Sequence, residues 1–190
     1  MPIALPVDAE ANELLSRNAL ALLIGMLLDQ QVPFERAFSA PADLVRRLGH
    51  EPTAEELADF DPDELVRVFS ARPALHRFPK AMAGRVQVMA RIIVDEYDGD
   101  AAAVWTTATS GAELLKRVSA LPGYGAAKAQ IFVALLGKQL SVRPDGWREA
   151  AGQFGAEGSF ISVADIVDDD SLGRVRSYKQ QMKAAAKAAK

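Results

Sequence analysis

Leu121-Pro122-Gly123-Tyr124-Gly125-Ala126-Ala127-Lys128 sits between two helical patterns, and a lone carboxylate, Asp145, follows twenty positions after Gly125. Upstream, Gly111 to Ala120 repeats apolar residues at Leu114, Leu115 and Val118, the spacing of one helix face. Pro122 fixes a backbone angle, and Gly123 and Gly125 can take positive φ and admit close approach, so the chain can turn within a few residues. A second helix is predicted at once, because Ala126 to Leu140 keeps Ile131, Phe132, Leu135 and Leu136 on one stripe. The unit reads as a tight helix-hairpin-helix. At its bend the unpaired amides of the second helix carry the positive end of the helix dipole and suit a phosphate oxygen.

The rest of the chain also reads as helix. Predicted helices cover 8–28, 42–48, 54–60, 63–69, 80–97, 112–120, 126–140 and 172–189. Thr53 ahead of Glu56 fits a capping box, Asp61-Pro62 sets a cap before a proline, and Ser110 precedes another apolar stretch. No sustained period-two alternation argues for strands, so an all-α fold of short helices is expected. The Ala/Lys-rich stretch 179–190 reads as a frayed terminal helix, or as a DNA-tethering arm.

At 190 residues, 49% hydrophobic and 25% charged, the chain can bury a sizeable core as one unit. The longest apolar run, Ala19 to Leu28, is too short to span a bilayer, and no charged-then-apolar leader with a cleavage site is seen. A cytoplasmic location is the expectation, nucleoid-associated when DNA is bound. Cysteine is absent, which excludes disulfides and a Cys-ligated iron-sulfur cluster. His50 and His76 have no metal-ligand spacing and read as surface or capping residues; neither a metal nor a cofactor is expected. The net charge of −3 counts against nucleic acid only if charge is judged globally. Acidic residues crowd 51–64 and 165–170, whereas Lys128, Lys138, Arg143 and Arg148 are expected around the hairpin and Asp145. Arg72, Arg77, Lys80, Arg85 and Arg91 form a second basic group, which reads equally well as a solvated helix face.

Leu-Pro-Gly-x-Gly-x-x-Lys-Ala followed by Asp145 resembles the signature of the HhH-GPD superfamily of base-excision DNA glycosylases. Leu22 to Gln31, an apolar helix ending in Gln, is similar to the helix that opens the family's core domain, so the likeness runs from about Leu20 to Trp147. The resemblance implies a two-lobed helical fold with an endonuclease III-like core and no iron-sulfur cluster. One HhH-GPD-like unit over 1–190 is expected, with a core lobe at about 20–135 that includes the hairpin at 112–140. The second lobe would combine 1–19 with 141–190, and 179–190 would form its tail. Double-stranded DNA with a damaged base is the implied partner, and a monomer is expected. Gly123, Tyr124, Gly125, Ala126, Lys128 and Arg143 would meet DNA, and Gln30 and Gln31 would face the gap left by an extruded nucleotide.

The implied chemistry suits a carboxylate. Breaking an N-glycosidic bond builds positive charge on the sugar, which an ionised Asp can stabilise while orienting or deprotonating water. Asp145 is the expected catalytic residue; its other reading is a cap for the next short helix. The base must leave the stack for an apolar pocket, for which Phe34, Tyr97, Trp105 and Trp147 are candidate walls or simply core. Relatives that cleave the backbone carry a Lys two positions after the second glycine, where this chain has Ala127. Lys128 is about 100° further round the helix and is expected to point toward phosphate or solvent, so a monofunctional enzyme is implied. Trp147 stands where relatives often have His soon after the Asp. Two other readings stay open: a non-catalytic DNA-binding or lesion-sensing protein, and a helical interaction protein whose hairpin is only a tight turn.

Overall fold

A computed structural model describes residues 3–188, and those residues form helices and turns with no strand. The chain begins with α1 (Ala9–Arg17) and α2 (Ala19–Leu28), two helices bent by 116° where one was expected. Asn18 makes the corner. Its backbone is extended, its N–H closes α1 on the Leu14 carbonyl, and its side chain accepts from Ala21 N to open α2. An Asn in that conformation satisfies both helix ends, which a periodicity scan cannot see.

α3 (Phe34–Leu48) starts eight residues before the predicted position, because Pro41 lies inside the helix. Proline removes one helical hydrogen bond. The helix nevertheless continues, with Phe34, Ala37, Phe38, Ala40, Pro41 and Leu44 all buried against neighbours. α4 (Ala54–Asp59) and α5 (Pro62–Ser70) pack on α6 (Pro79–Tyr97); Thr53 and Asp61 cap α4 and α5, but the capping box expected at Thr53 is half made, since the Glu56 carboxylate meets His50 instead. After α7 (Ala103–Thr106) come the hairpin helices α8 (Gly111–Ser119) and α9 (Ala126–Gln139). α10 (Trp147–Ala151) and two 3-10 turns, Gly152–Gly155 and Val163–Asp165, pack back along α9. α11 (Asp169–Ala188) closes the described chain.

One apolar cluster runs from Ile3 to Val175 and includes the cores of α2, α6 and α9. Gln139 at the end of α9 is buried, and it joins distant segments. Its side chain accepts from Ala4 N and donates to the Ile166 carbonyl at 2.9 Å. Burying an amide costs little when both ends are paired. No single helix among the described residues is long and apolar enough to cross a membrane.

Candidate nucleic-acid interface

Gly123 carries φ +79, and a β-carbon there would stand 2.5 Å from Leu27 Cδ1 on α2, so this glycine is required by both conformation and space. Gly125 differs from the sequence expectation. Its φ is −66 and a β-carbon would meet nothing within 4 Å, so the fold leaves open space at the start of α9. With no side-chain cap there, the first amides of α9 face that space. Ala126 and Ala127 are exposed beside it.

Tyr124 corrects the expectation of a DNA contact. It is buried, its hydroxyl donates to the Leu23 carbonyl at 2.8 Å, and its ring meets Phe132 edge-on. The tyrosine anchors the hairpin to α2. Burial pushes its phenol pKa well above the usual value.

Lys128 also departs from expectation, pointing inward rather than toward phosphate or solvent. Its Nζ donates to the carbonyls of Met26, Leu27 and Asp29 at 2.8, 3.2 and 2.9 Å. Those oxygens mark the C-terminal end of α2, where partners are lacking and the dipole is negative. Burial draws the amine down to about 8 against the pull of the Asp29 carboxylate, and the three carbonyl acceptors match the three protons of an ammonium.

Around this junction polar groups converge. Gln30 donates through Nε2 to the Leu27 carbonyl and accepts through Oε1 from Arg85 at 2.8 Å. His76, expected as a surface or capping residue, is 1% exposed. Its Nδ1 accepts from Phe78 N, which leaves Nε2–H to donate to the Gln30 carbonyl at 2.9 Å. Burial lowers its pKa and favours that neutral tautomer. Gln31 is exposed with φ +57, outside the usual range for a side chain of its kind. Beyond His76, Phe78 is 44% exposed with the Arg77 guanidinium 4.9 Å from its ring centre.

Asp29 completes the junction. Its carboxyl makes no hydrogen bond among the described residues, and desolvation raises its pKa against the pull of Lys179 and Lys128. Lys179, on α11, sits 3.6 Å over the Phe34 ring, and burial lowers its pKa. Arg176 one turn earlier pairs with Glu35, so this part of α11 is tied to α3. From sequence, Asp29 and Phe78 carried no expectation of their own, His76 read as a surface or capping residue, and Lys179 as the start of a frayed or tethering tail. Asp29 was visible as a carboxylate ahead of the two glutamines; only the folded chain gathers the others.

Asp145 lies elsewhere. Its carbonyl accepts from Gly111 N at 2.7 Å, at the first residue of α8, whereas the hairpin turn follows the last. At about 1.5 Å per residue, nine residues separate the two by roughly 13 Å. The Asp145 side chain is exposed, has no hydrogen bond among the described residues and does not cap α10. It borders a groove of about 520 Å³ that runs along α8 from Ser110 past Leu115 and Lys116 to Ser119 beside the hairpin turn, with Glu149 on its other side.

The expected ring of cations and aromatic walls is dispersed. Lys138 pairs with the buried Asp165 at 2.5 Å, Arg143 donates to the Gly137 carbonyl, and Arg148 lies over the Trp147 ring. Trp147 is core, since a β-carbon on Gly137 would come within 2.3 Å of its ring. Trp105 packs edge-on to Phe132, and Tyr97 faces Arg117. Among the four aromatics only Phe34 stands near Asp29, through Lys179.

A hairpin whose second helix starts uncapped, braced against a Gln-bearing helix end, defines the helix-hairpin-helix class of DNA-binding proteins. The family model described as HhH-GPD superfamily base excision DNA repair protein matches residues 24–190, and the chain belongs to that family. No match was found among curated proteins or among solved structures.

Proposed function

We propose that the protein is a monofunctional DNA glycosylase, which extrudes a damaged base from duplex DNA and hydrolyses its N-glycosidic bond. One observation carries the reading. The hairpin mouth offers amides to a phosphate while Ala127 stands where an amine nucleophile would be, and the neighbouring Lys128 has its ammonium engaged by three carbonyls. Water is then the nucleophile. It needs one ionised carboxylate near the sugar, for which Asp145 has the motif spacing.

The test is a panel of alkylated, deaminated and oxidised duplexes, assayed for abasic sites after alkali. At least one should yield strand breaks only after heat or alkali, and borohydride should trap no covalent adduct. A trapped adduct that vanished in Lys128→Ala would mean that the amine leaves its carbonyls and attacks the sugar. A second reading, DNA binding without catalysis, is favoured by one feature: Trp105 and Trp147 are buried in the core rather than lining an open base pocket.

A further inference from the structure

The direction of α11 is set by contacts at two points. It begins three residues after Ile166, whose carbonyl accepts from Gln139 at the last turn of α9. Leu172 and Val175 bury its first turns, Arg176 pairs with Glu35, and Lys179 lies 3.6 Å over the Phe34 ring and beside Asp29. The Asp29 carbonyl in turn accepts from Lys128, in the first turn of α9. The helix therefore runs from the end of α9 back to its beginning, where the uncapped amides of the hairpin face open space.

It does not stop there. Every residue from Gln180 to Ala188 is exposed, and at about 1.5 Å per residue the nine positions after Lys179 carry the helix roughly 13 Å past the body, at the hairpin-mouth end. Lys183 and Lys187 follow Lys179 in steps of four, each about 40° round and about 6 Å along from the last, so the three share one face. Lys183 and Lys187 make no ion pair among the described residues.

The charge pattern of this segment differs from that of a merely solvated helix. Such a face usually alternates signs, with Glu and Lys four apart. From Ser171 to Lys190 the chain carries six lysines and arginines and no acid, within a protein of net charge −3. Lysines four apart repel and weaken a bare helix, whereas a row of anions laid along them turns the repulsion into attraction. Duplex DNA is such a row, with one phosphate per strand about every 3.4 Å.

We propose that the last turns of α11 are a second DNA-binding element, which lies along the phosphate backbone beyond the hairpin mouth with Lys183 and Lys187 each on a phosphate. This rests on the DNA-binding half of the reading above and is independent of catalysis. Arg174 supplies an internal control: it lies on the same helix, nine positions before Lys183 and thus about 180° round, with its guanidinium over the Phe160 ring.

The test is anisotropy of a labelled, undamaged duplex with the full chain over a series of salt concentrations. Lys183→Gln and Lys187→Gln should each make the dependence of log affinity on log salt shallower by about 0.9, and weaken binding by about eightfold near 0.1 M salt. Glutamine is nearly as good a helix former as lysine, so the circular-dichroism spectrum should not change. Lys183→Arg and Arg174→Gln should keep the wild-type slope. Addition of duplex should slow amide exchange over 180–188. Unchanged slopes in both glutamine variants overturn the proposal while leaving the hairpin reading intact, and so does an equal loss in Arg174→Gln, which would mark a diffuse attraction instead of contacts. Loss of binding to phosphatidylserine vesicles in the lysine variants, with duplex affinity unaltered, overturns it in favour of a membrane surface. A wild-type protein that binds no duplex at any salt removes the DNA-binding reading and this element with it.

Discussion

The two ends of the hairpin are built differently. At the turn, Tyr124, Lys128, Gln30, Arg85 and His76 form a bonded set that fixes α9 against α2, with one carboxylate, Asp29, left unbonded in its midst. At the opposite end, Trp147 packs on Gly137 and backbone bonds seat the loop, while Asp145 projects into an open groove. The first end positions polar groups and desolvates them; the second leaves its carboxylate free toward a groove.

Asp145→Asn should break the contrast most strongly. With a substrate from the lesion panel, single-turnover base release should fall by about 10²- to 10³-fold, the typical value of one electrostatic donor, with the fold unchanged. Equal activity in the variant would remove Asp145 from the chemistry.

Lys128→Met should lower stability by about 2–3 kcal/mol, since three carbonyls at the end of α2 lose their donor. Urea denaturation measures this directly, and an unchanged midpoint would mean that solvent replaces the amine without cost.

Gly125→Val should weaken binding to any duplex by about tenfold, the equivalent of one charge-assisted contact. Because a β-carbon there meets nothing in the protein, its melt should match wild type, and damaged and undamaged duplexes should lose alike. Anisotropy at two salt concentrations is the measurement; unaltered affinity would take the hairpin out of the DNA interface.

The smallest effect concerns the far end. Bonds from Thr109 and Arg117 hold the Glu113 carboxyl down to about 2. A carboxyl lowered on folding stabilises the protein above its unfolded pKa, near 4.5, and that contribution disappears as pH falls toward 2. Amide exchange at the start of α8 should therefore quicken over this window before it does at the turn.

The predicted helices and the hairpin follow from periodicity and from Pro122 and Gly123, and their boundaries from caps such as Thr53, Asp61 and Ser110. Asn18 escaped because one residue serves two helix ends, and Pro41 because burial outweighs one missing hydrogen bond. The candidate site was less legible. Lys128 and Tyr124 were read as surface groups since periodicity assigns a face to a helix but not the neighbour that covers it. His76 and Lys179 belong to segments distant from the motif, and only the packing of α6 and α11 against α2 and α3 brings them near.

The triple grip of Lys128 on α2 has a mechanical consequence. The hairpin and the glutamine loop are coupled through one stiff link, and Tyr124 adds a second from the next turn of α2. A strained phosphate that shifts the hairpin must carry Gln30 and Asp29 with it. The protein can thus work as a lever, in which tension in the DNA strand at one arm is felt as displacement at the other.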